Sequence, residues 1–387
     1  MLKVAIMGHG TVGSGVYDVF AQNAAQIAKA VGEEVEVKYV LDLRDFSKLS
    51  YADKFVTDFS VIENDPEVCV VAEVMGGVGA AYEFSKRCLK AGKSVCTSNK
   101  ELVAVHGEEL LALAKEHNVN YLFEASVGGG IPLIRPMMQC LAANQIEEIC
   151  GILNGTTNYI LSQMIHNGVA FDDALRQAQK MGYAENDPTA DIEGHDACRK
   201  ICILSDLAFG DKIDPDEVSC QGISGITLDD VAAASELGYV IKLIGRAKRT
   251  ESGKIFAFVA PHLVPKTSPL ACVEDVFNGI LVTGNMVGEV MFYGQGAGKH
   301  ATASAVVADM MDAIAHREKR RLVEWGDGSQ KLLLLPIDQL ESAWYVRGEV
   351  PAELAAKTVA GAALTVPMTA AELRDKLPQA EGAMRVL

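Results

Sequence analysis

Apolar residues in the first third of the chain fall in short blocks, and between the blocks they recur at helical spacing. Leu2-Lys3-Val4-Ala5-Ile6-Met7 is a β-branched apolar run and predicts a buried strand. Val16, Phe20 and Ile27 come next at about the helical period and predict a helix. The alternation then repeats. Residues 35–43, 68–75, 94–97 and 120–125 predict further strands, and residues 82–91 and 102–117 predict helices, the first stopped by Gly92. Strands alternating with helices predict an α/β fold built on a doubly wound parallel sheet. In such sheets ligands bind beyond the carboxyl ends of the strands.

From Ile131 the pattern changes, and Pro132 and Pro136 interrupt it. Residues 146–153 predict a strand that runs into the polar turn Asn154-Gly155-Thr156-Thr157-Asn158. Helices are expected over 159–167, over 171–181 up to Gly182, and over 195–208. Strands near 239–248, 255–265 and 279–284 suggest an open sheet, so the second domain reads as α+β. Gly294-Gln295-Gly296-Ala297-Gly298 precedes a helix over 301–315. The tail from Lys331 offers a strand-like Trp344-Tyr345-Val346 and a helix-like stretch from Glu353 to Val359. The domain reading is 1–131, with the helix 299–320 returning to it, then 132–298, then a short extension 331–387.

The first strand gains a chemical meaning from its glycine-rich neighbour. Gly8-His9-Gly10-Thr11-Val12-Gly13 is a G-x-G-x-x-G run between strand and helix, the context of a dinucleotide fingerprint and of a Rossmann domain. Gly8 permits the sharp turn, Gly10 lets the backbone approach a pyrophosphate, and Gly13 lets helix and strand pack closely. The free N–H groups from Thr11 and Val12 onward would face the phosphates. Asp42 and Arg44 end the second strand. An acid there takes a ribose 2′-hydroxyl and favours NAD, whereas an arginine takes a 2′-phosphate and favours NADP. Both are present, so both cofactors stay open.

Composition narrows the field. The 387 residues carry a net charge of −16, which argues against a nucleic-acid partner held by basic patches. No apolar run is long enough for a membrane span, and no signal segment precedes the first strand. Nine cysteines lie scattered without a C-x-x-C pair, which fits reduced thiols in the cytoplasm. Cys198 and Cys202 share a helix face and read as core thiols rather than nucleophiles, and His9 and His195 read as loop or packing residues.

Several polar residues are candidates for chemistry. Asp196 and Lys200 lie four apart and share one helix face, as a surface ion pair or as a functional pair. Thr97-Ser98-Asn99-Lys100 closes the fourth strand, which puts Lys100 at the mouth of the sheet as an acid/base candidate. Glu185 comes after Gly182 in a polar turn, and Glu124 opens a glycine-rich stretch.

Taken in order, Gly8–Gly13, Thr97–Lys100, Glu124–Pro132, Asn154–Asn158, Gly182–Pro188, Asp191–Lys200 and Gly296–Gly298 resemble homoserine dehydrogenase over roughly residues 1–320. The resemblance implies NAD(P)-dependent interconversion of L-aspartate 4-semialdehyde and L-homoserine, in threonine, methionine and isoleucine biosynthesis. It implies that Lys200 is the proton donor, that Lys100 is a second acid/base near the nicotinamide, and that Asp196 binds the polar end of the substrate. Glu185 would meet the substrate amino group, Asp191 would contact substrate, and the Gly182 backbone would lie near cofactor and substrate. Thr97, Ser98 and Gly298 would contact the cofactor. Glu124 with Val127, Gly129 and Ile131 matches a sodium-binding loop, in which the family often has alanine at Gly129. His300-Ala301 stands where relatives often carry a proline. The small-molecule enzyme would be a homodimer or homotetramer, with a tail too short for a full regulatory domain. Two other readings remain: another NAD(P)-dependent semialdehyde reductase, and a nucleotide-sensing regulatory protein without chemistry.

Overall fold

The computed structural model describes residues 1–326 and 334–387, so Lys331, where the tail reading begins, lies outside the described residues. The chain forms two compact units. One holds Met1–Cys140 and the segment starting at Gln295; the other holds Leu141–Gly294 and the C-terminal residues from 334.

The first unit is built on a parallel sheet of six strands among the described residues. Its spatial order is Phe55–Val56, Val35–Leu41, Leu2–Met7, Val68–Glu73, Ser94–Thr97 and Tyr121–Leu122. The two-residue edge strand Phe55–Val56 is too short to carry a period of its own, and pairing with Val40 and Leu41 creates it. Strands predicted to reach residues 43 and 75 stop at Leu41 and Glu73, each with one further N–H, that of Asp42 or Val74, still bonded to a neighbouring strand. Val4, Ile6, Val40 and Val70 pack with Val16, Phe20, Ala303, Val306 and Met310, so the helix Lys299–Ala315 completes this core. It crosses the helix Thr11–Gln22 closely. A Cβ on Gly15 would lie 2.7 Å from the Lys299 carbonyl oxygen, so only glycine permits this approach. Lys299 Nζ also pairs with Asp18 at 2.7 Å.

The second unit is a mixed sheet of ten strands among the described residues. Its spatial order is Gly288–Gln295, Phe277–Gly284, Ile146–Ile152, Tyr239–Arg249, Ile255–Pro265, Glu381–Val386, Trp344–Arg347, Ala362–Thr365 and Ala355–Val359, with Ser219–Cys220 pairing Ile255–Pro265 off this path. Tyr239–Arg249 and Ile255–Pro265 pair along eleven residues each. Their apolar side chains are buried almost continuously, as expected for strands covered on both faces.

The tail departs from expectation. Ala355–Val359, predicted as a helix, is a strand paired antiparallel with Ala362–Thr365. The two-residue turn between them places Gly361 at φ +74, and hairpin pairing overrides the helix preference of Glu353–Ala356. Four strands and the helix Ala370–Lys376 build a small core of Trp344, Val346, Met368 and Leu373. Glu381–Val386 carries these strands into the larger sheet by pairing with Ile255–Pro265. Asp230, with no exposed surface, anchors the tail by accepting from Tyr345 Oη at 2.8 Å and Arg347 Nε at 2.6 Å. No described helix is long and apolar enough to cross a membrane.

Candidate active site

In the first unit the glycine run behaves as its spacing requires. Gly8 turns at φ +96, and its N–H donates to the Leu41 carbonyl at 2.8 Å. A Cβ on Gly13 would lie 1.9 Å from the Gly8 oxygen, so helix and strand touch there. Nothing lies within 4 Å of a Cβ built on Gly10, which leaves its backbone open to a ligand. The helix starts at Thr11 without a side-chain cap, so the N–H groups of Thr11, Val12 and Gly13 carry its positive end toward the same space. A cleft of about 380 Å³ lined by Gly8, Gly10, Asp42, Arg44, Met75 and Gly76 continues from there.

Asp42 and Arg44 are joined, not alternatives. Asp42 accepts from the His9 N–H at 2.8 Å and from Arg44 Nε and Nη2 at 3.0 and 2.8 Å. The Arg44 guanidinium holds the Asp42 carboxyl well below the usual carboxylate range. Arg44 keeps 62% of its side chain exposed and lies over the Phe46 ring. His9 is buried in an edge-on cluster with Phe46, Tyr51 and Phe55, so it is a packing residue.

At the neighbouring strand ends, Thr97 is fully buried, and Ser98 and Lys100 are half-buried. Lys100 opens the helix Lys100–Glu116, which Asn99 caps by accepting from the Leu102 N–H at 3.0 Å. Gly298 stands at the start of Lys299–Ala315 at φ +133, next to the residue whose carbonyl meets Gly15.

The glycine-rich loop is held by a carboxylate. Glu124 is buried and accepts backbone N–H bonds from Leu133, Ile134 and Arg135 at 2.6 to 2.7 Å, capping the helix Ile134–Gln139. The carbonyl oxygens of Val127, Gly129 and Ile131 accept no hydrogen bond from any described residue. Gly129 sits at φ +54, and a Cβ there would meet the Gly296 oxygen at 2.4 Å, so this chain needs glycine at that position.

In the second unit, one buried cluster gathers the polar candidates. Asp196 and Lys200 lie on the helix His195–Phe209, 5% and 8% exposed, so they are not a surface pair. Lys200 Nζ donates to Asp196 Oδ2 and to the Leu153 carbonyl, each at 2.7 Å. Asn154 Nδ2 bridges the two carboxylates, donating to Asp191 Oδ1 at 2.7 Å and to Asp196 Oδ2 at 2.8 Å. Burial first, and the Asp196 charge second, push the Asp191 carboxyl above its ordinary range. Gly182, at φ +76, ends the preceding helix. Thr156 Oγ1 pins the segment after it by donating to the Tyr183 carbonyl at 2.7 Å, two residues before the exposed Glu185. His195 points to solvent. Cys198 is buried, and its hydrogen bond with Cys202 pushes its thiol up to about 12, so it is no nucleophile.

Residues 132–311 match the model of homoserine dehydrogenase, and residues 8–124 match that of the homoserine dehydrogenase NAD-binding domain. The chain belongs to the homoserine dehydrogenase family. It is 42% identical to the homoserine dehydrogenase of Pseudomonas aeruginosa, over 89% of this chain and 81% of that one. It is 40% identical to the Neisseria gonorrhoeae homoserine dehydrogenase, over 96% and 90%. Among solved structures, the Thiobacillus denitrificans homoserine dehydrogenase aligns at TM-score 0.88 and 35% identity, over 100% of this chain and 98% of that one. A hyperthermophilic archaeal homoserine dehydrogenase in complex with NADPH aligns at TM-score 0.68 and 28% identity, over 81% and 97%. The enzyme is accordingly an NAD(P)-dependent oxidoreductase.

Two polar residues of this chain have parts that their spacing does not announce. Asn154 is legible as part of a polar turn, but its bridge spans 37 and 42 residues of sequence. Glu73 falls inside the strand predicted over 68–75 and is the last residue of the observed one, yet it has no exposed surface.

Proposed function

We propose that the enzyme reduces L-aspartate 4-semialdehyde to L-homoserine, in the biosynthesis of threonine, methionine and isoleucine, with Lys200 as the proton donor. The observation that carries this reading is the buried Lys200 ammonium, held by Asp196 and the Leu153 carbonyl beside Asp191. Bound NAD(P)H supplies the hydride. The uncapped helix start at Thr11 and the open Gly10 backbone fit its pyrophosphate. Lys200 delivers a proton to the oxygen that gains negative charge, and Asp196 and Leu153 fix the direction of its N–H bonds. Asp191, Asp196 and the exposed Glu185 are acceptors for a substrate ammonium, and they fix the carbonyl carbon by holding the other end of the molecule. Lys100, at a helix start beside the nicotinamide loops, is a second cation for the carbonyl or carboxylate.

The same geometry supports finer readings. The oxygens of Asp42 are engaged by four donor groups while Arg44 stays exposed, so the site takes NADPH as well as NADH. The open carbonyls of Val127, Gly129 and Ile131, with the Glu124 charge behind them, suit a sodium ion, since hard cations prefer oxygen ligands. Nine free thiols fit a cytoplasmic enzyme, and we place it there as a homodimer or homotetramer.

Oxidation of NADPH and of NADH by L-aspartate 4-semialdehyde, without added phosphate, tests the substrate directly. Turnover with either cofactor supports the reading. Absence of turnover with both, with cofactor binding intact, removes it in favour of a nucleotide sensor.

A further inference from the structure

We propose that Glu73 is a positioning residue for the reaction: from a wholly buried site it ties together the two loops that present the nicotinamide cleft and Lys100. The proposal rests on the reading that Lys100 works at the cofactor. Glu73 ends the strand Val68–Glu73, beside the strand Ser94–Thr97. Its Oε1 accepts the Met75 N–H at 2.8 Å, which sets the loop that runs through Gly76 and Gly77. Its Oε2 meets Thr97 Oγ1 at 2.6 Å, and Thr97 Oγ1 accepts the Asn99 N–H at 2.9 Å. The Asn99 side chain then closes the circuit. Its Nδ2 donates to the Gly77 carbonyl at 2.7 Å, and its Oδ1 caps the helix that Lys100 opens.

Both loops therefore hang on one carboxyl, and Lys100 is the next residue after Asn99, where the circuit closes. Glu73 has no exposed surface and does not line the cleft at Gly8, Asp42 and Met75, so it acts through its neighbours. A buried carboxyl is costly to keep where an apolar side chain would fill the same volume. Here it holds partners in either protonation state, because the Thr97 hydroxyl can donate to it or accept from it. Burial pushes it up to about 7 against the pull of those bonds.

The test compares E73A, E73Q, T97V, the double variant E73A/T97V, and K100A. Readouts are kcat and KM for L-aspartate 4-semialdehyde, with NADPH affinity by fluorescence titration. Displacing a catalytic group by about 1 Å costs roughly 100-fold in rate. We therefore expect E73A to lower kcat about 10- to 100-fold while KM moves less than about threefold. E73Q, which keeps one acceptor and one donor, recovers most of that loss. The double variant is no slower than the slower single one, because both cut the same chain. Should E73A fail to fold, E73Q and T97V still report. Unchanged kcat in E73A, additive losses in the double variant, or E73Q no better than E73A overturns the proposal. K100A with full turnover removes the reading of Lys100 and the proposal together; K100A impaired with E73A intact removes the proposal alone.

Discussion

Replacing Asn154 separates what the second-unit cluster needs for folding from what it needs for chemistry. Asn154 Oδ1 accepts the Thr157 N–H at 2.9 Å and so caps the helix Gly155–Asn167, while Nδ2 bonds Asp191 and Asp196. N154A removes all of these. The lost cap costs about 1 kcal/mol. Each lost bond to a carboxylate costs about 1.5–3 kcal/mol, and the two share one donor, so they do not add fully. We expect a total of about 3–5 kcal/mol, read from urea unfolding as a lower midpoint with unchanged slope. The loss grows with pH. Asp191 already lies above its ordinary value, so the folded state holds more protons than the unfolded one, and stability falls as pH rises through that window. Without the Nδ2 donor, Asp191 rises further and the window widens. N154D is the informative partner, because aspartate caps as well as asparagine but sets a third carboxylate against two. It should keep more of the helix than N154A and yet turn over more slowly. N154A within about 0.5 kcal/mol of the parent, or N154D with parental kcat, would refute the reasoning.

Three further outcomes are expected. G13A would place a Cβ 1.9 Å from the Gly8 oxygen and should abolish NADPH binding in a fluorescence titration while G10A only weakens it. R44A should lower affinity for NADPH more than for NADH; equal losses would show that Arg44 serves only Asp42. Glu73, raised from its ordinary 4.5 to about 7, destabilises the fold when ionised. The shift corresponds to about 3 kcal/mol, fully recovered below pH 4.5 and lost as pH rises through 7. Unfolding midpoints of the parent should therefore fall relative to those of E73Q between pH 4.5 and 8, and parallel pH profiles would contradict this.

The first unit was largely legible because its periods are local. Val4 and Ile6, and then Val16 and Phe20, declare strand and helix within a few residues of each other, and Gly8 between them marks the turn by its positive φ. Phe55–Val56 was not legible, since two residues carry no period and pairing alone makes the strand. The tail failed for the opposite reason. Glu353–Val359 has helix-forming residues, but its partner Ala362–Thr365 and the Gly361 turn decide its state. In the site, Asp196 and Lys200 announced themselves by spacing on one helix. Asn154 and Glu73 did not, because their partners are distant in sequence and each sits in a stretch that reads adequately as turn or strand.

In the proposed reaction the amine held by Asp196 hands over the proton. K200M tests it most directly, by NADPH oxidation with L-aspartate 4-semialdehyde beside a fluorescence measurement of cofactor affinity and a urea midpoint. General acid catalysis contributes about 10²- to 10⁴-fold, so kcat should fall by at least about 100-fold with cofactor affinity unchanged in the folded variant. A folded K200M enzyme that turns over at the parental rate would contradict the account.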